Sequence, residues 1–197
     1  MARIIMSGPQ NMTLDGVIDD PDGAEGSRRG DWFRRVGGQD LEQWNVVAFE
    51  EAASAEAWLL GRRSYEFFGS RWRDRQGPLA DRLNDIPKYV VSSTLTDPEW
   101  RNTTVLRGDV VDEVTRLKDE IDGDIIIPAS YTVGRILIEH DLVDELRIVV
   151  FPVVLGEGAR FFDGINADKR LRHLDSSLIG SGLVHLRYEF VHASPER

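Results

Sequence analysis

Short apolar runs alternate along the chain with longer stretches in which apolar residues recur every three or four positions. Runs of four to eight suit buried strands, and the wider spacing suits helices with one buried face. Arg3-Ile4-Ile5-Met6 reads as the first strand. Thr13–Ile18 leads into a polar stretch rich in Gly, Asp and Arg, from Asp19 to Asp31. That stretch reads as a long surface loop, and such loops inside compact domains often carry function. From Asp40 to Ala55, Leu41, Trp44, Val47, Ala48 and Glu51 recur at helical spacing. Ala57–Gly61 is a strand ending in glycine, and Arg62–Phe68 begins a helix. Lys88–Ser93, set behind Pro87, and the β-branched Thr103–Leu106 are further strands. Asp109–Glu120 is a helix with Val110, Val111, Val114 and Leu117 along one face and Asp109 as its N-cap. Asp124–Ile127 carries a continuous apolar run, as a strand covered on both sides does. Thr132–His140 is helical, and Glu145–Val154 is a strand disturbed near Pro152. Leu171–Ile179 and Leu183–His192 flank Gly180-Ser181-Gly182, the pattern of a β-hairpin.

Alternating strands and helices predict an α/β fold with a mostly parallel sheet and helices on both faces, closed by an antiparallel C-terminal hairpin. No internal repeat or linker interrupts the pattern, so residues 1–197 are expected to form one domain. With 41% hydrophobic and 29% charged residues, the composition is that of a soluble globular protein. The chain has no cysteine, which removes disulfides, thiolate catalysis and Cys-based metal sites. No run approaches the length of a membrane span, and the N-terminal apolar run is too short for a secretion signal, so a cytoplasmic location is expected. The net charge of −10 repels phosphate backbones and argues against nucleic acid as a partner. Arg28-Arg29, Arg34-Arg35, Arg62-Arg63 and Arg71-Trp72-Arg73 have acidic neighbours and read mainly as solvated surface.

In open α/β sheets, ligands bind beyond the carboxyl ends of the strands. Three candidate spots satisfy that rule. Gly61-Arg62-Arg63-Ser64 joins a strand end to a helix N-terminus and adds a forked cation. Ser92-Ser93-Thr94 is a row of hydroxyls after the next strand, and Ala129-Ser130 is another strand-to-helix junction. Together they would surround a dinucleotide. There is no G-x-G-x-x-G fingerprint, no phosphate-loop lysine and no G-x-S-x-G elbow. Gly156-Glu157-Gly158 reads as a turn. His140, His173, His185 and His192 lack metal-ligand spacing, so no metal site is expected.

Five segments in chain order resemble the stand-alone RibD C-terminal-domain family, dihydrofolate-reductase-like proteins related to the reductase half of the riboflavin-biosynthesis deaminase/reductase. They are Thr13-Leu14-Asp15-Gly16, Leu59–Glu66, Lys88–Leu95, Glu139–Leu146 and Pro152–Gly158. The resemblance implies a three-layer α/β/α dihydrofolate-reductase-like fold, with NADPH across the carboxyl edge of the sheet. It places Gly61, Arg62 and Ser64 at the pyrophosphate and 2′-phosphate, and Ser92 and Ser93 at the adenosine phosphate with Arg107 nearby. Ala129 and Ser130 complete that cofactor set, while Leu14, Asp15 and Gly16 line the nicotinamide end. Trp44, Phe49, Pro152, Leu155 and Gly156 are the implied substrate contacts. Hydride transfer to a C=N or C=O carbon of a small pyrimidine- or pterin-like heterocycle follows, with Asp15 as the catalytic acid, although Asp15 also fits an Asx turn before Gly16. A homodimer is implied as well. Relatives usually carry glycine where this chain has Pro128-Ala129-Ser130-Tyr131, so a methyl and a ring stand ready to crowd the pyrophosphate. A deazaflavin-dependent reductase and a non-catalytic dinucleotide-binding module are therefore the alternatives. Gln10-Asn11-Met12 replaces the lysine of riboflavin-pathway reductases, and Asp40, Glu42 and Glu50 are the candidates for the helix carboxylate of dihydrofolate reductases.

Overall fold

Ile125, Ile126 and Ile127 are at most 1% exposed, so their strand must be covered on both faces. In the computed structural model, which describes residues 1–192, that strand lies inside an eight-stranded sheet. Residues 193–197 of the expected domain lie outside the described residues. The strands are β1 (Arg3–Thr13), β2 (Ala57–Gly61), β3 (Lys88–Val91), β4 (Thr103–Leu106), β5 (Asp124–Ile127), β6 (Glu145–Phe151), β7 (Leu171–Ile179) and β8 (Leu183–Phe190). The helices are α1 (Trp32–Gly37), α2 (Leu41–Ser54), α3 (Arg62–Trp72), α4 (Pro78–Asp85), α5 (Val110–Glu120) and α6 (Tyr131–Glu139). The sheet order is β4-β3-β2-β5-β1-β6-β8-β7. Neighbours from β4 through β6 run parallel, and the β6–β8 and β8–β7 pairs run antiparallel.

The period of two along each strand sorts the core into two layers. Ile4, Leu59, Ile125 and Ile127 pack with Val114 and Leu117 of α5 and with Val133 and Leu137 of α6. Their neighbours Ile5, Leu60 and Ile126 pack on the other face with Ala52 of α2, Tyr65 of α3 and Leu83 of α4. The result is the expected α/β/α sandwich. Asp109 caps α5 as expected, its carboxylate accepting from the Val111 and Asp112 N–H groups. Among the described residues no helix is long and apolar enough to cross a membrane.

Three features depart from the sequence pattern. β1 runs to Thr13, because a bulge between Met6 and Gln10 absorbs Gly8-Pro9 instead of ending the strand. There the Gln10 side-chain amide donates to the Ser7 and Ile127 carbonyls at 2.7 and 2.6 Å, replacing ladder bonds. α1 and α4 occupy stretches where no helix was expected. α1 carries Trp32, fully buried edge-on against Phe151, and α4 starts at a helix-favouring proline.

Candidate active site

Parallel strands bring their carboxyl ends to one edge. Read across the sheet, those ends deliver Arg107 from β4, Ser92 from β3, Gly61 from β2, Pro128–Ser130 from β5, Leu14–Asp15 from β1 and Pro152 from β6. All the expected cofactor positions thus share one edge.

At its centre, two helix N-termini lie side by side. α3 starts after Gly61 and α6 after Ser130, and neither first turn is capped by a side chain. Free N–H groups at helix starts are of the kind that suit an anion. Two hydrogen bonds hold the junctions together: Gly61 N–H donates to the Ser130 hydroxyl oxygen, and the Ser64 hydroxyl donates to the Ala129 carbonyl, both at 3.0 Å. Ser130 is buried and also donates to the Pro128 carbonyl, so it frames the site instead of facing a ligand. Ala129 has φ of +47°, the left-handed region that explains a preference for glycine. Tyr131 does not crowd the edge. Its ring packs edge-on to Phe161, its hydroxyl reaches the Asn11 carbonyl at 3.5 Å, and burial pushes its pKa up.

Arg62, nearly half exposed, donates to Glu66 and to the Thr94 hydroxyl, both at 2.7 Å. The Ser92 oxygen accepts from the Thr94 and Leu95 N–H groups at 3.2 and 3.0 Å. Ser92 therefore shapes the turn that presents Thr94, while Ser93 stays exposed. Arg107 donates to the Leu95 carbonyl at 2.7 Å and steadies the same turn.

Asp15, the expected catalytic acid, has its carboxylate tied to the strand end and to the segment after β6. It accepts from the Thr13 hydroxyl at 2.6 Å, from Leu155 N–H at 3.2 Å and from Gly156 N–H at 2.7 Å. Burial pushes its pKa up, but these three donors outweigh burial and bring it down to about 2. Leu14 and Val154, both more than 60% exposed, form an apolar ledge beside it at the ends of β1 and β6.

The substrate contacts divide. Trp44 donates its indole N–H to the Asn11 side chain at 2.8 Å and packs edge-on to Phe33. Phe49 lies on the solvent side, because five residues turn α2 by about 140° from Trp44. The Leu155 side chain is buried in a core with Trp32 and Phe151, so only its backbone serves the site. Gly156 and Pro152 are exposed at the mouth. None of the three carboxylate candidates is shown at the strand ends. Asp40 accepts from Ser181 and Gly182 N–H groups in the β7–β8 turn, Glu42 is exposed, and Glu50 lines a recess of about 320 Å³ between α2 and the hairpin.

The Asp19–Asp31 loop is as expected, and it straps the mouth. The Asp20 carboxylate holds its bend through Glu25 and Ser27 N–H groups at 2.9 and 2.7 Å. On the α3 side, Arg63 pairs with Glu25 and Arg71 with Asp22, at 2.7 and 3.0 Å. On the β6 side, Arg28 and Arg29 pair with Glu157 at 3.0 and 2.9 Å. The strap therefore spans from α3 to the segment after β6, with the ends of β5 and β1 between its anchors. Nothing local to Arg28, Arg29 or Glu157 marks the link, which arises from their tertiary pairing.

Known proteins share this fold. YyaP, an uncharacterized protein of Bacillus subtilis (strain 168), is 26% identical over 137 residues, which is 67% of this chain and 72% of YyaP. A Shewanella sp. PV-4 protein provisionally assigned to riboflavin biosynthesis superposes with a TM-score of 0.74 at 22% identity, covering 98% of this chain and all of the other. The reductase/deaminase of Thermotoga maritima gives 0.65 at 14% identity, covering 96% of this chain and 57% of that one. Enterococcus faecalis dihydrofolate reductase, solved with NADP(H), gives 0.58 at 17% identity over 96% of each chain. The sequence pattern of the RibD C-terminal domain matches residues 10–185, and this chain belongs to that family.

Proposed function

We propose that this chain is an NADPH-dependent reductase that adds hydride to a C=N or C=O carbon of a small pyrimidine- or pterin-like heterocycle. The observation that carries the reading is the pair of uncapped N-termini of α3 and α6, set side by side with Arg62 at the carboxyl edge. N–H groups and a fork of that geometry suit a pyrophosphate and a 2′-phosphate. The residues fit the cofactor, since Ala129 already adopts the glycine-like backbone and Tyr131 is turned away. Bound there, a nicotinamide would supply the hydride. Leu14 and Val154 offer exposed apolar side chains to a ring, and Trp44, bonded to Asn11 of β1, would contact the substrate. The strap limits water at the mouth, which strengthens the electrostatics inside. Asp15, held ionised, orients the wall, and the proton that accompanies hydride comes from water.

Thermal unfolding with NADPH, NADH and no ligand tests this. A ligand at about 100 times its Kd adds roughly 2.7 kcal/mol. NADPH is expected to raise Tm more than NADH, and Arg62→Ala to weaken NADPH by about tenfold or more while sparing NADH. No shift with either nucleotide removes the nicotinamide reading.

A further inference from the structure

We propose that Asp15 is a positioning residue, whose carboxylate fixes the segment 154–157 and, through Glu157, the Asp19–Asp31 strap, so that both walls of the mouth move as one unit. The contacts form a chain. Asp15 accepts from Leu155 and Gly156 N–H groups. The next residue, Glu157, receives Arg28 and Arg29, and Arg29 also donates to the Leu155 carbonyl. Gly156 sits at φ +77°, so its N–H is presented by a turn that the carboxylate stabilises. Thr13 fixes the carboxylate in turn, donating to it while accepting from Val17 N–H at 2.9 Å. The far end of the segment is pinned separately, by Ile18 N–H to the Ala159 carbonyl at 2.9 Å and by the bridge between Val17 and Arg160. Release of Asp15 therefore loosens 154–157 and the end of the strap at Arg28 and Arg29, while 159–161 and the anchors on α3 stay in place. The consequence for substrate rests on the reductase reading; the mechanical coupling does not.

The test is hydrogen exchange with limited trypsin digestion on two variants of the full chain. Asp15→Asn keeps the size but turns one acceptor into a donor facing N–H groups. Leu155 and Gly156 amides are expected to exchange at least about tenfold faster, and cleavage after Arg28 and Arg29 to accelerate, with β2 and α3 unchanged. Glu157→Gln cuts the chain one link later and is expected to accelerate cleavage alone. In turnover, Asp15→Asn raises the substrate KM more than it lowers kcat. Thr13→Val, which leaves both amide bonds to Asp15, shows the same changes more weakly and serves if Asp15→Asn does not fold. Unchanged exchange at Leu155 and Gly156, or acceleration spread evenly over the sheet, overturns the proposal. A lost NADPH shift with the exchange pattern intact would remove the reductase reading and leave the coupling standing.

Discussion

Lys88 opens β3 with its side chain fully buried. Its ammonium donates to the carbonyls of Asn84, Ile86 and Arg101 at 3.2, 2.7 and 3.1 Å and lies 4.5 Å from the centre of the Trp100 ring. Burial, and then the charge of Arg101, bring its pKa down from 10.5 to about 8, against a smaller opposing pull from Asp85. Between those two values the unfolded chain keeps a proton that the folded chain has shed. Stability therefore rises with pH across this window. The full gap corresponds to about 3 kcal/mol, and the part realised between pH 7 and 9.5 is about 2 kcal/mol. Tyr131, raised by burial, opposes this only above pH 10. Urea unfolding of the wild type and Lys88→Met at half-unit steps isolates the effect, because methionine has similar volume and no proton to lose. The wild type should gain about 2 kcal/mol on the variant from pH 7 to 9.5. Parallel profiles would refute the argument.

Asp40→Ala leaves the Ser181 and Gly182 N–H groups without their acceptor and should cost about 2 kcal/mol in denaturant unfolding; a cost below 0.5 would assign the turn's stability elsewhere. Ala129→Gly relieves a left-handed alanine at a cost in chain entropy, so a gain of about 0.5 kcal/mol is expected, with NADPH binding at least as tight. A fall in Tm would show that the methyl packs favourably. Asp109→Ala removes the cap of α5 and should cost about 1 kcal/mol, read from the urea midpoint.

What could be read directly from the residues was whatever depends on near neighbours. Ala57–Gly61, Thr103–Leu106 and Asp124–Ile127 are short β-favouring segments whose bounds match the strands observed. The apolar run Arg3–Met6 marks only the first part of β1; past the bulge, residues 10–13 continue it by pairing with Ile148–Phe151 of β6, while the Gln10 amide bonds across to Ile127. α1 and α4 span six and eight residues, too few turns for a periodic stripe to stand out. Glu51 marked a helix face correctly but hid its partners. Ser7 donates to it, Arg147 lies 3.8 Å away and His185 3.4 Å, each from a different strand.

The site divides along the same line. Position at the end of a parallel strand is a matter of topology, so Gly61, Ser92, Ala129 and Asp15 could be placed on one edge before their contacts were known. Their roles depend on partners far along the chain. Asp15 meets Leu155 across 140 positions, and Ser64 meets Ala129 across 65. Once those pairs form, the hydroxyls of Ser64 and Ser130 and the carboxylate of Asp15 are occupied within the protein. What faces outward at the edge is Arg62, half exposed though already bonded to Glu66 and Thr94, the backbone N–H groups of two helix starts and the exposed side chains of Leu14 and Val154. Backbone donors survive replacement of the side chains around them. That explains how alanine can stand at 129, since the junction requires a left-handed backbone between β5 and α6, and alanine supplies it at a cost of about 1 kcal/mol.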